Sequence, residues 1–140
     1  MIKKIFFLSL FIIPFSIVFS QEEEINGLPF ITNISPQEYG QHVQNWDILQ
    51  DNRGIMYIAN GNGVIEYDGE TFRLIELPGK ETVRSLAIDS NNRIYVGSVG
   101  EFGYLEPNSK GKTQYKSLTS KIPGKHKNFG DTWDTQCKKE

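Results

Sequence analysis

From Trp46 onward, short apolar runs alternate with clusters of glycine, asparagine and aspartate. "ILQD" is an apolar–polar piece, "NRG" a turn, "IMYIA" a strand and "NGNG" a second turn. "VIEYD" then reads as another strand, Gly69 as a turn residue, and "TFRLIEL" as a further strand before "PGK". β-Branched and aromatic side chains bounded by such clusters suit half-buried strands joined by tight turns. Upstream, Pro29 and Pro36 oppose a helix, so "EEEINGLPFITNISPQEYG" reads as a mobile start followed by an extended stretch.

The pattern then returns. "SLAIDSNNRIYVG" repeats the layout of "DILQDNRGIMYIA" at an offset of 38 residues, with Asp89 for Asp51 and Tyr95 for Tyr57. "GYLE" at Gly103 to Glu106 matches "GVIE" at Gly63 to Glu66 after two further residues. "TWDTQ" from Thr132 partly repeats "NWDILQ" from Asn45. A period near 40 with several short strands predicts an all-β fold, an incomplete β-propeller of about two four-stranded blades and the start of a third. The expected segments are 45–82, 83–131 with a lysine-rich excursion, and 132–140 as a truncated third repeat. Residues 21–44 form an extended lead-in that contributes a ring-closing strand. Two such units expose unpaired edges. The expectation is therefore the front of a longer protein, with a small self-contained β-domain or an assembly of identical chains as the competing arrangements.

The first twenty residues stand apart. Lys3 and Lys4 precede the apolar run "IFFLSLFIIPFSIVF", and Val18 and Ser20 suit cleavage before Gln21, as in a signal peptide. An uncleaved anchor competes, but the run is shorter than the roughly 20 residues that span comfortably, and Pro14 interrupts it. Loss of these two lysines takes the formal charge from -2 to -4, which gives no support to nucleic-acid binding. The single cysteine, Cys137, makes no internal disulfide, and no cysteine at the cleavage site offers lipid attachment.

Candidate chemistry is sparse. Gly61 and Gly63 could open a dinucleotide loop, but Glu66 occupies the third glycine position and no helix pattern follows. "GSVGEFG" lacks the Lys-Ser or Lys-Thr of a phosphate loop. Asp51, Asn52, Asp89, Asn91 and Asn92 could offer oxygens to calcium, yet side-chain bonds to the turn backbone explain them and no EF-hand order is present. His42 and His126 have no zinc-site company, and no nucleophile elbow appears. The reading is a non-enzyme with no cofactor and no metal. No acidic residue falls between Pro107 and Gly130, where six lysines lie, a solvated excursion or an anion-attracting stretch. Most aromatic residues should pack between sheets. The candidate ligand or partner contacts are Trp46, Trp133, Tyr67, Tyr104, Lys121 and Lys125.

"NWDILQDNRGIMYIANGNGVIEYDGETF" and "VRSLAIDSNNRIYVGSVGEFGYLE" resemble the N-terminal sensor propeller of bacterial two-component regulators, the triple-tyrosine sensor family often found in Bacteroidetes-like systems. The resemblance runs from about Trp46 to Glu106, with a weaker echo at Thr132 to Gln136. It implies more blades, a triple-tyrosine β-sandwich, a membrane helix and a cytoplasmic output module downstream. It also implies an oligosaccharide or protein ligand, export to the periplasm or cell exterior, membrane attachment through the downstream part, and a dimeric full-length receptor. Neither a kinase domain nor a DNA-reading helix is in this sequence. The alternatives are a secreted or periplasmic glycan- or protein-binding module without signalling output, and a truncated product without independent function.

Overall fold

The computed structural model describes Gly27, residues 30–127 and residues 129–138. The expected export segment at 1–20 and most of the early lead-in lie outside these residues. Of two compact units, Met1–Thr32 and Asn33–Glu140, the second holds all the regular structure among the described residues.

Eight strands follow one short helix: α1 (Pro36–Tyr39), β1 (Asn45–Gln50), β2 (Met56–Asn60), β3 (Gly63–Tyr67), β4 (Phe72–Ile75), β5 (Val83–Ile88), β6 (Ile94–Ser98), β7 (Phe102–Pro107) and β8 (Thr113–Ser117). Helix α1 corrects the extended reading of its segment. Pro36 sits at the start of the helix, where its missing N–H costs nothing. The Glu38 carboxylate accepts bonds from the Ser35 amide and hydroxyl, and Gly40, at φ 67°, ends the turn.

The chain is all-β in character, with two four-stranded antiparallel sheets ordered β1-β2-β3-β4 and β5-β6-β7-β8. Their registers coincide. Ile48 faces Ile58 as Leu86 faces Val96, and Tyr57 faces Glu66 as Tyr95 faces Tyr104, all at an offset of 38. Each first strand carries a bulge at the same place, between Asn45 and Asp47 and between Val83 and Ser85. Strand β7 therefore follows β3 at 38 residues, and the "GVIE"/"GYLE" match lies two residues out of register. The added length falls later: Leu74 faces Ile65 where Ser117 faces Gly103, an offset of 43. A slip of two keeps every side chain on its face, so the misalignment leaves the buried pattern intact.

Aspartates and asparagines build the turns, as the sequence predicts. Asp51 Oδ1 accepts from the amides of Arg53 and Ile55, and Asp89 Oδ1 from those of Asn91 and Arg93. Asn108 Oδ1 repeats the device with Lys110 and Lys112. The fourth turn residue is left-handed each time: Gly54 at φ 86°, Asn92 at φ 64° and Gly111 at φ 76°. Burial opposes the ionisation of Asp51, but the bonds from the Arg53 guanidinium and from the Arg53 and Ile55 amides outweigh it and hold its carboxyl below the ordinary 3.8. The Arg93 amide is the main cause of the same depression at Asp89.

A carboxyl depressed in the folded state contributes stability above its unfolded value and loses it as pH falls through the folded one. Unfolding free energy is thus expected to be level above about pH 5 and to decline as pH drops below about 4. Denaturant titrations across that range check the slope, and Asp51→Asn should flatten it.

One core joins the sheets. Tyr57, Ala59, Val64 and Ile75 on one face of the first sheet meet Leu86, Ile94, Val96 and Leu105 on one face of the second, with Leu77 and Val83 from the connection. Three polar bonds tie the same interface. Asp47 Oδ2 accepts from the Leu86 amide at 2.8 Å, Arg73 Nη1 donates to the Thr113 carbonyl at 3.0 Å, and the Asn52 amide donates to Asn92 Oδ1 at 3.0 Å.

Candidate ligand site

The two bulges place the best candidate site. Trp46 and Arg84 are the extra residues of their bulges, 38 positions apart, so neither has a partner across the ladder. A bulge of this kind re-aims its side chain out of the regular pleat. The third contributor is Trp133. Its segment is pinned to the second sheet by the Thr132 amide on the Ser98 carbonyl at 3.0 Å and by the pairing of Val99 with Asp131.

These three side chains form one triangular cluster in which each touches the other two. The Arg84 guanidinium carbon lies 4.1 Å from the Trp46 ring centroid and 4.4 Å from that of Trp133. The indoles themselves meet edge to face, centroids 5.5 Å apart at 79°. Each cation–ring contact is worth about 0.5–2 kcal/mol, more as water is excluded. Asp131 Oδ2 stands 3.3 Å from Arg84 Nε and balances its charge, although no aligned hydrogen bond reaches that buried nitrogen. Trp133 remains 59% and Trp46 38% exposed. Such a surface offers ring faces beside a fixed cation. It suits a ring-bearing ligand.

Of the six residues the sequence singles out, the structure brings Trp46 and Trp133 together and leaves the others apart. Tyr67 stacks on Phe72 at 4.2 Å and donates to the Gly69 carbonyl at 2.8 Å, which fixes the β3–β4 hairpin. Tyr104 lies on the outer face of the second sheet, 6.4 Å from Tyr95, with the Arg93 guanidinium 4.8 Å from its ring. Lys121 and Lys125 are exposed in two separate single-turn 3-10 segments. Sequence reading missed Arg84. Its one signal was the spacing of 38 from Trp46, hidden because arginine does not resemble tryptophan.

Two further polar clusters are structural. Glu101 Oε1 accepts from three hydroxyls, Tyr115 at 2.9 Å, Ser117 at 2.6 Å and Thr119 at 2.7 Å. Burial and the bond to Glu101 push the Tyr115 phenol well above its ordinary range. The fully buried Asn60 amide donates to the His42 and Gln44 carbonyls and to Asn45 Oδ1, closing the start of the first sheet. Ser98, 38 residues on, donates to the Thr82 carbonyl in the same role at 2.7 Å. No group of three metal-ligating side chains occurs among the described residues. No helix among them is long and apolar enough to cross a membrane. A scan of family models and searches of curated proteins and of solved structures find no match for this chain.

Proposed function

We propose that this chain is a ligand-sensing β-propeller segment of an exported two-component regulator, without catalytic chemistry of its own. The carrying observation is that Trp46 and Arg84, at the bulges of the two first strands, and Trp133, in the segment that follows the second sheet, converge in one cluster. Two sheets that share order, register and bulge, with one face of the first laid on the second, support the propeller part of the reading. The sensor part rests on the resemblance of Trp46 to Glu106 to such regulators.

A ligand laid across Trp46, Arg84 and Trp133 contacts three packing units at once. Ligand contact that differs between two packings biases their equilibrium, and a downstream output module reads that bias. Oligosaccharides are the leading ligand class, because sugar rings stack on indole faces and hydroxyls or carboxylates suit the guanidinium edge.

Tryptophan emission tests the site, since both indoles of the protein lie in it. Titration with a panel of neutral and acidic oligosaccharides should quench or shift emission saturably for at least one member. Trp133→Ala should weaken that binding about tenfold or more while leaving the circular dichroism unchanged. Saturable binding indifferent to both Trp133→Ala and Trp46→Ala would place the ligand elsewhere, and an unresponsive panel would remove the glycan reading. The intact mass of the endogenous product separates the regulator from a secreted binding module. A larger product with a membrane segment and output domain supports the former.

A further inference from the structure

Arg84 and Asp131 stand together beside the two indoles, and neither is saturated. Their 3.3 Å approach is too misaligned for a hydrogen bond. Among the described residues, no hydrogen bond leaves the terminal nitrogens of Arg84 or reaches either oxygen of Asp131, and of these groups only Arg84 Nε is sealed from solvent. A guanidinium offers five donors and an ionised carboxylate about four acceptor sites, so most of this capacity is unspent. Both groups are nevertheless held in place. The rings flank the guanidinium at 4.1 and 4.4 Å, and the backbone of Asp131 pairs with Val99. The side chains are only 17% and 26% exposed, so little further ordering is needed to use them.

Charge narrows what can use them. Asp131 already offsets Arg84. A second carboxylate, Asp47, follows Trp46 in the chain and binds the amide of Leu86, two residues beyond Arg84, through Oδ2. Its Oδ1 takes the Ile48 amide. No lysine among the described residues pairs with either carboxylate. An anion that approaches the guanidinium therefore meets repulsion of the same order as its attraction. A hydroxyl is different, because it donates and accepts in one group. Two adjacent hydroxyls on a saturated ring fit the pair. One donates to Asp131 and accepts from Arg84, its neighbour accepts from the other terminal nitrogen, and the C–H face of the ring rests on Trp133, the more open indole.

We propose that the cluster is a subsite for a neutral sugar ring with adjacent free hydroxyls, and that Asp131 is its specificity-determining acceptor, rejecting rings that carry a carboxylate. The inference rests on the oligosaccharide reading of this site and narrows it to one class.

Matched oligosaccharides test it with the full chain. Oligomers of glucose, galactose and mannose are each compared with oligomers of the corresponding uronic acid, by tryptophan emission and titration calorimetry. At least one neutral member should bind saturably, and about tenfold or more tightly than its uronic partner. Asp131→Asn keeps the shape and one acceptor oxygen but removes the charge. It should weaken the neutral sugar about threefold to tenfold and strengthen the uronic one, so the two effects have opposite signs. A residue that only positions Arg84 would weaken both alike, and that result overturns the role of Asp131. Uronic oligomers that bind more tightly than neutral ones, with loss in Trp133→Ala, overturn the proposal and leave the oligosaccharide reading standing. Silence from every member overturns both. If Asp131→Asn does not fold, the parent's preference decides together with sugars deoxygenated at one of the paired hydroxyls. These should bind about tenfold more weakly, and equal binding overturns the proposal.

Discussion

Tyr57→Ala is expected to lower the unfolding free energy by about 3–5 kcal/mol, the range for emptying a large aromatic site in a packed core. Tyr57 is 1% exposed, on the face of the first sheet that meets the second, among Ala59, Val64 and Ile94. Its hydroxyl accepts from Arg53 Nη2 at 3.1 Å, so its polar end is satisfied at the rim while the ring fills the interface. Removing the ring leaves a cavity between two sheets, each held rigid by its own ladder, and little can collapse into it. Tyr57→Phe, which loses only the bond to Arg53, should cost about 0.5–1.5 kcal/mol. Urea unfolding of the three proteins with a common slope separates ring from hydroxyl, and similar losses in both variants would place the energy in the hydrogen bond.

Gly63→Ala should be nearly as damaging, at about 2–5 kcal/mol, for a different reason. Gly63 has φ 140°, where side chains are strained, and a Cβ there would lie 2.5 Å from the backbone oxygen of Ile75 in the paired strand. Neither atom can rotate away. This glycine is the second of the pair that resembles a dinucleotide loop, and its role is the close approach of β3 to β4. Glu101 holds the equivalent place in the second sheet, in the hairpin closed by the Ser98 amide on the Glu101 carbonyl. Denaturant midpoints of the parent and Gly63→Ala check this, and a neutral Gly63→Ala would remove the steric account.

The strands and their turns were legible because their causes are local. Apolar side chains at alternate positions and an Asp or Asn with a left-handed residue three places on are enough to place β1–β2 and β5–β6. Their repetition at 38 residues gave the two sheets. The register of β7 was not legible, because "GYLE" and "GVIE" are similar while the tight turn at Val99 and Gly100 fixes the pairing two residues away from that similarity. Helix α1 was missed because Pro36 was weighed as a breaker and not as a first helical residue. At the candidate site, the exposed tryptophans stood out as residue types, but nothing local marks a bulge. Arg84 therefore became visible as the third member of the cluster only in three dimensions.

Sheet topology has a consequence for how the chain acquires its structure. Every strand pairs with its neighbour in sequence, so each sheet closes through hairpins with short loops and low contact order. Folding should therefore be quick for an all-β protein, and limited by docking of the two sheets more than by finding partners within them. During synthesis the first sheet has all its strands once Ile75 has left the ribosome, before any strand of the second sheet has emerged. Until then its Tyr57–Val64 face waits uncovered, and the emerging β5 is the first strand able to shield it.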